Sequence, residues 1–295
     1  VSSFLSSGEP SASATGSSAQ SRELGAALRG VLRRSGRTKS RIAETLGWTV
    51  GRPGRLINGH IAATRLDVGK FLLAANASTH EIGRLSTLAG LSPRAHSVQA
   101  HPADVPDMLP TLRFLETTAV SITSYDPHQL PLLLQTTDCT ETMLRGTELL
   151  TDETVTEGAA ARQERQSVLC ADTGPVMTSY IGEHVLNQPL PGRVAAGQRR
   201  HLHTMVQRLR WHVRIIPATA PVTAWPGFAL FQDDHGNEVI TVRTPTAQLV
   251  LDDPGNLATY RQAIAQLAAA ALPDTESTAR LLAPDTFNRV APCRS

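Results

Sequence analysis

The chain has 295 residues, 41% of them hydrophobic and 18% charged, enough to bury a sizeable core and to divide into two domains. No run of eighteen apolar residues occurs, and the first residues lack a basic segment followed by an apolar stretch, so neither a membrane span nor a secretory signal is expected. A cytoplasmic protein with no membrane partner is the expectation. Cys139, Cys170 and Cys293 are widely spaced and form no CxxC pair, which argues against a disulfide scaffold or a cysteine-rich zinc site. The net charge of +2 is unevenly spread. Residues 21–65 hold ten basic side chains against Glu23 and Glu44, a balance of +8 that leaves −6 for the rest. A basic module on an acidic body is the footprint of a nucleic-acid binder.

Residues 1–20 are rich in Ser, Ala and Gly and read as a disordered leader, with too few apolar groups to offset the entropy of ordering. Ser21 then caps a first helix with Leu24, Ala27, Leu28, Val31 and Leu32 on one face and Gly36 as its stop. Thr38 caps a second, Lys39 to Leu46, ended by Gly47. Thr49 caps a third through about Asn58, with Gly59 behind it. Pro53 falls at the fourth position of that third helix and Gly51 and Gly54 inside it, so it is expected to be weak or distorted. Two more helices follow, over 66–75 and 79–89. Residues 21–90 thus read as an all-α domain in which two short helices meet across a glycine turn, the layout of a helix-turn-helix.

Four prolines and little periodicity make 91–111 a linker. Residues 112–284 read as an α+β domain, and 285–295 as a tail. Phe114, Leu115, Ala119 and Ile122 mark a helix, PHQLPLLLQ an apolar turn into a helix over 138–145, and residues 157–169 another. Strands are expected over 176–181, 213–216, 228–231 and 239–242, where the residues are β-branched or aromatic and bounded by Gly, Pro or Asp. Helices over 195–210 and 256–272 complete a small antiparallel or mixed sheet.

The N-terminal stretch SRELGAALRGVLRRSGRTKSRIAETLGW with Asn58-Gly59, and the later segments LPLLLQT, ARQERQSVL, VRIIP, PGF and YRQAIAQLAAAAL, together resemble the WhiJ-like, XRE-type helix-turn-helix regulators abundant in Streptomyces and other actinobacteria. Only Lys39 and Lys70 among 28 basic residues are lysine, a bias that fits such a high-GC genome. The resemblance implies a DNA-binding transcriptional regulator, often dimeric, encoded beside a small partner protein. It also implies that Gly51, Arg52, Gly54 and Arg55 form the face toward base edges and that Lys39 and Arg41 lie near phosphates. The chain departs from the family at the broken third helix, at Leu132 in the PLLLQ element and at Arg243.

The residues themselves give Lys39, Arg41, Thr49, Arg52, Arg55 and Asn58 as the candidate contacts to double-stranded DNA, since guanidinium suits bidentate recognition and helix starts suit phosphate. Glu116, Gln135, Arg162, Arg165, Gln166 and Glu183 are polar groups within the family-like segments and are the candidates for a small-molecule site. No metal site or cofactor is expected: His201 and His203 fall on different faces of a helix, His184 and His212 lie elsewhere, and Asp233-Asp234-His235-Gly236 reads as turn chemistry. No nucleophile elbow, Walker loop or dinucleotide pattern is present. The expected function is a homodimeric regulator whose C-terminal domain binds a small molecule or protein partner. The rival readings are a repurposed descendant acting as an enzyme in secondary metabolism and an antitoxin-like binding module.

Overall fold

The computed structural model describes residues 18–58, 61, 63–90, 96–100, 109–146, 150–171, 173–208, 210–222, 225–244 and 247–287. The leader up to residue 17, the helix stop at Gly59 and the tail from residue 288 lie outside them. The chain divides into two compact units between Pro93 and Arg94.

The first unit is helical: α1 (Ala19–Ser35), α2 (Lys39–Leu46), α3 (Arg52–Ile57), α4 (Arg65–Ala74) and α5 (Thr79–Gly90). Ser18, not Ser21, caps α1, its side chain accepting from the Ser21 N–H. Thr38 and Thr64 cap α2 and α4 in the same way, and Gly36 and Gly47 close α1 and α2 at φ 65° and 63°, a region where a Cβ is strained. Leu24, Leu28, Val31, Ile42, Leu56, Ile57, Val68, Phe71, Leu72 and Leu85 form one buried cluster. The third helix corrects the expectation. It starts at Arg52 with Gly51 at the cap position and no side-chain cap bond, so Thr49 does not cap it. Pro53 consequently lies in the first turn, where a missing N–H has no helical partner to lose, and the helix is short rather than broken.

Close approach of α1 to the end of α3 depends on Gly25. A Cβ there would lie 2.1 Å from the Ile57 carbonyl oxygen, which also accepts from Arg29 Nη1 at 3.3 Å. Gly83, in α5, has open space around it.

In the second unit the described residues form one sheet of seven strands: β1 (His96–Ala100), β2 (Ala119–Asp126), β3 (Val176–Gly182), β4 (Trp211–Ile216), β5 (Phe228–Asp233), β6 (Glu238–Arg243) and β7 (Ala247–Leu251). Their order is β1-β7-β6-β5-β2-β3-β4. The β2–β3 and β3–β4 pairs are parallel and the others antiparallel. The sheet is mixed, as one of the alternatives had it, but it is not small. Part of the expected linker is its edge strand, β1 against β7. The expected helix through Ala119 and Ile122 ends at Thr118, and the β-branched alternation that follows is β2.

Helices α6 (Pro110–Thr118), α7 (Thr137–Arg145), α8 (Asp152–Leu169), α9 (Gly192–Val206), α10 (Pro254–Ala270) and α11 (Asp274–Leu281) accompany the sheet, with a 3-10 turn at Leu132–Leu134. Alternation along the strands separates two faces. One carries Tyr125, Tyr180, Ile216, Phe228, Ile240 and Val242 and is sealed by Leu257, Ala263 and Leu267 of α10. The opposite face carries Ile122, Ser124, Met177, Ser179, Ala229, Phe231, Thr241 and Gln248. Among the described residues no helix is long and apolar enough to cross a membrane.

Gly25→Ala is expected to lower the stability of the helical unit by about 1–3 kcal/mol through backbone collision. Gly83→Ala should raise it by roughly 0.5–1 kcal/mol through helix propensity. Denaturant unfolding followed by circular dichroism reads both; equal effects would contradict the packing described.

Candidate functional site

The candidate DNA contacts occupy α2, α3 and the turn between them. Lys39, Arg41, Thr49, Arg55 and Asn58 are exposed, with Arg41 Nη1 donating to Glu44 at 2.7 Å. Arg52 is different. Its Nη2 donates to Asp67 Oδ1 at 3.0 Å, and its guanidinium lies 4.8 Å from the centre of the Trp48 ring. Asp67 is itself held by Thr64, whose hydroxyl donates to Oδ2 at 3.0 Å. Arg52 therefore ties the turn after α2 to the start of α4, and Arg55 is the α3 arginine that faces solvent.

In the second unit the sheet face opposite α10 holds a cavity of about 250 Å³, walled by α6, α8 and residues 127–133. Its floor follows from strand register. Thr241 pairs with Ala229, Ala229 with Ser124, and Ser124 with Ser179, giving a row of small side chains across four strands. Ser124 Oγ and Ser179 Oγ are 3.1 Å apart. Gln248 of β7, paired with Arg243 of β6, is only 4% exposed, and its buried Oε1 has no hydrogen-bond partner among the described residues. A buried acceptor left in that state costs about 1–3 kcal/mol, so it calls for a function. Ile122, Met177 and Phe231 make the apolar part of the floor, and Leu112, Leu132 and Leu133 the facing wall.

The charged groups at the wall close on each other. Arg165 of α8 donates from Nε to Glu116 Oε2 at 2.9 Å and from Nη2 to Oε1 at 2.5 Å, while the two side chains are 11% and 3% exposed. This two-point pairing fixes both groups in the plane of the carboxylate. Asp126 and Arg243 also line the cavity.

Residues 109–283, more than half the chain, match the family described as a domain of unknown function, DUF5753. The chain belongs to this family. No curated protein matches it. The whole cavity lining lies inside the DUF5753 match.

Of the residues expected to bind a ligand, Glu116 and Arg165 line the DUF5753 cavity, and three others brace its wall from behind. Gln135 Nε2 donates to the Leu130 carbonyl at 2.7 Å, Arg162 Nη1 donates to Gln135 Oε1 at 3.3 Å, and Gln166 Nε2 donates to the Leu133 carbonyl at 2.6 Å. Gln198 completes the brace, donating to the Leu134 carbonyl and accepting from the Thr136 N–H. The 3-10 turn of the LPLLLQ element is thus held through its own carbonyls, so that Leu132 and Leu133 present their side chains to the cavity. Glu183 lies outside the lining, paired with Arg280 and accepting from the Ala218 N–H at 3.0 Å. Sequence reasoning missed Ser124, Ser179, Thr241 and Gln248. The available signal was small polar residues alternating with Tyr125, Tyr180, Ile240 and Val242.

Other polar clusters have local roles. Asp233 Oδ1 accepts from the N–H groups of His235 and Asn237 at 3.0 and 2.8 Å, which shapes the β5–β6 hairpin. His201 meets Gln166 at 3.0 Å, whereas His203 meets Gln207 on the exposed side of α9. Burial pushes the Cys139 thiol up to about 11, with Arg162 opposing, which keeps it protonated and unreactive at neutral pH.

Removing the second partner of the buried pair should cost little once the first is gone. Glu116→Ala is expected to destabilise the DUF5753 unit by about 3–5 kcal/mol, and the Glu116→Ala/Arg165→Ala double variant by clearly less than the two single losses combined. Additive losses in urea unfolding would mean that the pair is not coupled.

Burial first, and Arg208 second, hold His201 below its ordinary value. The folded state therefore favours neutral His201. Its contribution is intact above the unfolded value of about 6.5 and is lost as pH falls from there toward the lowered folded value. Unfolding compared at about pH 7.5 and about pH 5.5 should show a smaller acid loss in His201→Gln than in the parent; an unchanged loss would remove His201 as its source.

Proposed function

We propose that the chain is a DNA-binding transcriptional regulator of the XRE-type, WhiJ-like kind, whose DUF5753 domain binds a small-molecule effector in the cavity on the polar sheet face. The observation that carries this reading is the concentration of +8 in residues 21–65 on a helical unit whose α2 and α3 expose Lys39, Arg41 and Arg55. DUF5753 domains often stand C-terminal to helix-turn-helix domains of the XRE type, which supports the same assignment. In this reading Lys39 and Arg41 meet phosphates, and Arg55 and Asn58 approach base edges. Arg52 orients α3 through Asp67 and Trp48 and does not touch a base. The regulator acts in the cytoplasm as a homodimer, the arrangement that matches two half-sites on a duplex, and a small protein from a neighbouring gene is its further partner.

Fluorescence anisotropy with duplex DNA from upstream of the chain's own coding region tests the reading. Lys39→Ala should weaken binding to all sequences and reduce the slope of log affinity against log salt by about 1. Arg55→Ala should cost about 1–3 kcal/mol on the preferred sequence and little on an unrelated one. Arg52→Ala should lower the thermal stability of the helical unit before it affects sequence preference. Absence of salt-dependent binding in the parent protein would reject the proposal.

A further inference from the structure

The class of ligand that fits the cavity follows from how its polar groups are satisfied. The lining holds two acidic residues, Glu116 and Asp126, and two arginines, Arg165 and Arg243, so these four charges sum to zero. The innermost carboxylate and guanidinium already hold each other through two contacts. A carboxylate or phosphate on the ligand would compete with Glu116 for Arg165 and be repelled by it. An ammonium would meet the reverse conflict with Arg165. Either charge would lose its hydration against a lining whose own charges already balance, which disfavours burial.

The floor offers neutral hydrogen-bonding groups. Ser179, Thr241 and Gln248 are buried, and Ser124 and Ala229 lie between Ser179 and Thr241 along the register. Gln248 keeps an acceptor with no partner among the described residues, so a ligand bringing an N–H or O–H satisfies a buried group. Around this polar row stand Leu112, Ile122, Leu132, Leu133, Met177 and Phe231, which take an apolar body. Compact size follows from a volume of about 250 Å³, at the small end for ligand sites.

We infer that the cavity between the β2–β3–β5–β6–β7 floor and the α6–α8 wall takes an uncharged, compact amphipathic molecule with an amide- or hydroxyl-type head and an apolar body. Gln248 and Thr241 recognise the head. The inference rests on the cavity being the effector site proposed above, and it adds the chemistry of the effector.

Three probes of the same shape and different charge test it on the full chain: 4-propylbenzamide, 4-propylbenzoate and 4-propylbenzamidine, with dissociation constants from ligand-observed NMR. The neutral amide should bind at least about tenfold more tightly than either charged analogue. Gln248→Leu should weaken the amide by about tenfold or more while leaving the circular dichroism spectrum unchanged. Thr241→Val serves as a second variant and should also weaken it. Equal or tighter binding of the benzoate or benzamidine overturns the ligand class and leaves an effector site standing. No binding of the amide, or binding indifferent to both substitutions, overturns the inference itself. Amide binding with no change in affinity for DNA would retain the ligand class and remove the regulatory reading.

Discussion

The ion pair between Glu116 and Arg165 decides what the polar face of the sheet can hold. It fastens α6 to α8 at a point from which water is nearly excluded, and there two charges are tolerated only because each satisfies the other. The result is a wall of fixed geometry and no net charge above a floor of Ser, Thr and Gln. On the reverse face of the sheet, α10 meets Tyr125, Phe228, Ile240 and Val242 and leaves the strands conventionally packed. One sheet therefore supplies a core on one side and a cavity on the other, and strand alternation keeps the two chemistries apart.

The LPLLLQ element connects this wall to the helices behind it. Its carbonyls are taken by Gln135, Gln166 and Gln198, so a segment with little regular structure of its own is still held in one conformation. Long amide side chains suit this work because each offers both a donor and an acceptor. Leu132 and Leu133 are aimed inward as a consequence of that backbone restraint, and the partly desolvated His201 is attached to the same brace.

Much of the helical unit was legible in the sequence because caps and stops act locally: Thr38, Gly36 and Gly47 do what their residue types imply. The third helix starts two residues later than the sequence suggests, since Thr49 looks like a cap and Pro53 then looks interior. Beginning at Arg52 makes the same proline harmless. In the α+β unit, four strands with strong β-branched or aromatic content were visible. β2 was hidden because Ala119 and Ile122 happen to fall at helical spacing, and β1 because prolines around it suggested a linker while its pairing partner, β7, lies some 150 residues away in sequence. Glu116 and Arg165 stood out as polar residues within amphipathic segments. The polar floor did not, because serine and threonine alternating with large residues in a strand ordinarily mean a solvent-facing side; only the covering helices reveal that this side is buried.

The proposed link between the cavity and DNA is a claim about coupling, and coupling is reciprocal. The most direct measurement is the affinity of the full chain for DNA from its own upstream region, with and without saturating 4-propylbenzamide, together with the amide's affinity with and without that DNA. The account predicts that both affinities change by the same factor, about fivefold or more. DNA affinity that stays constant while the cavity is saturated would contradict it.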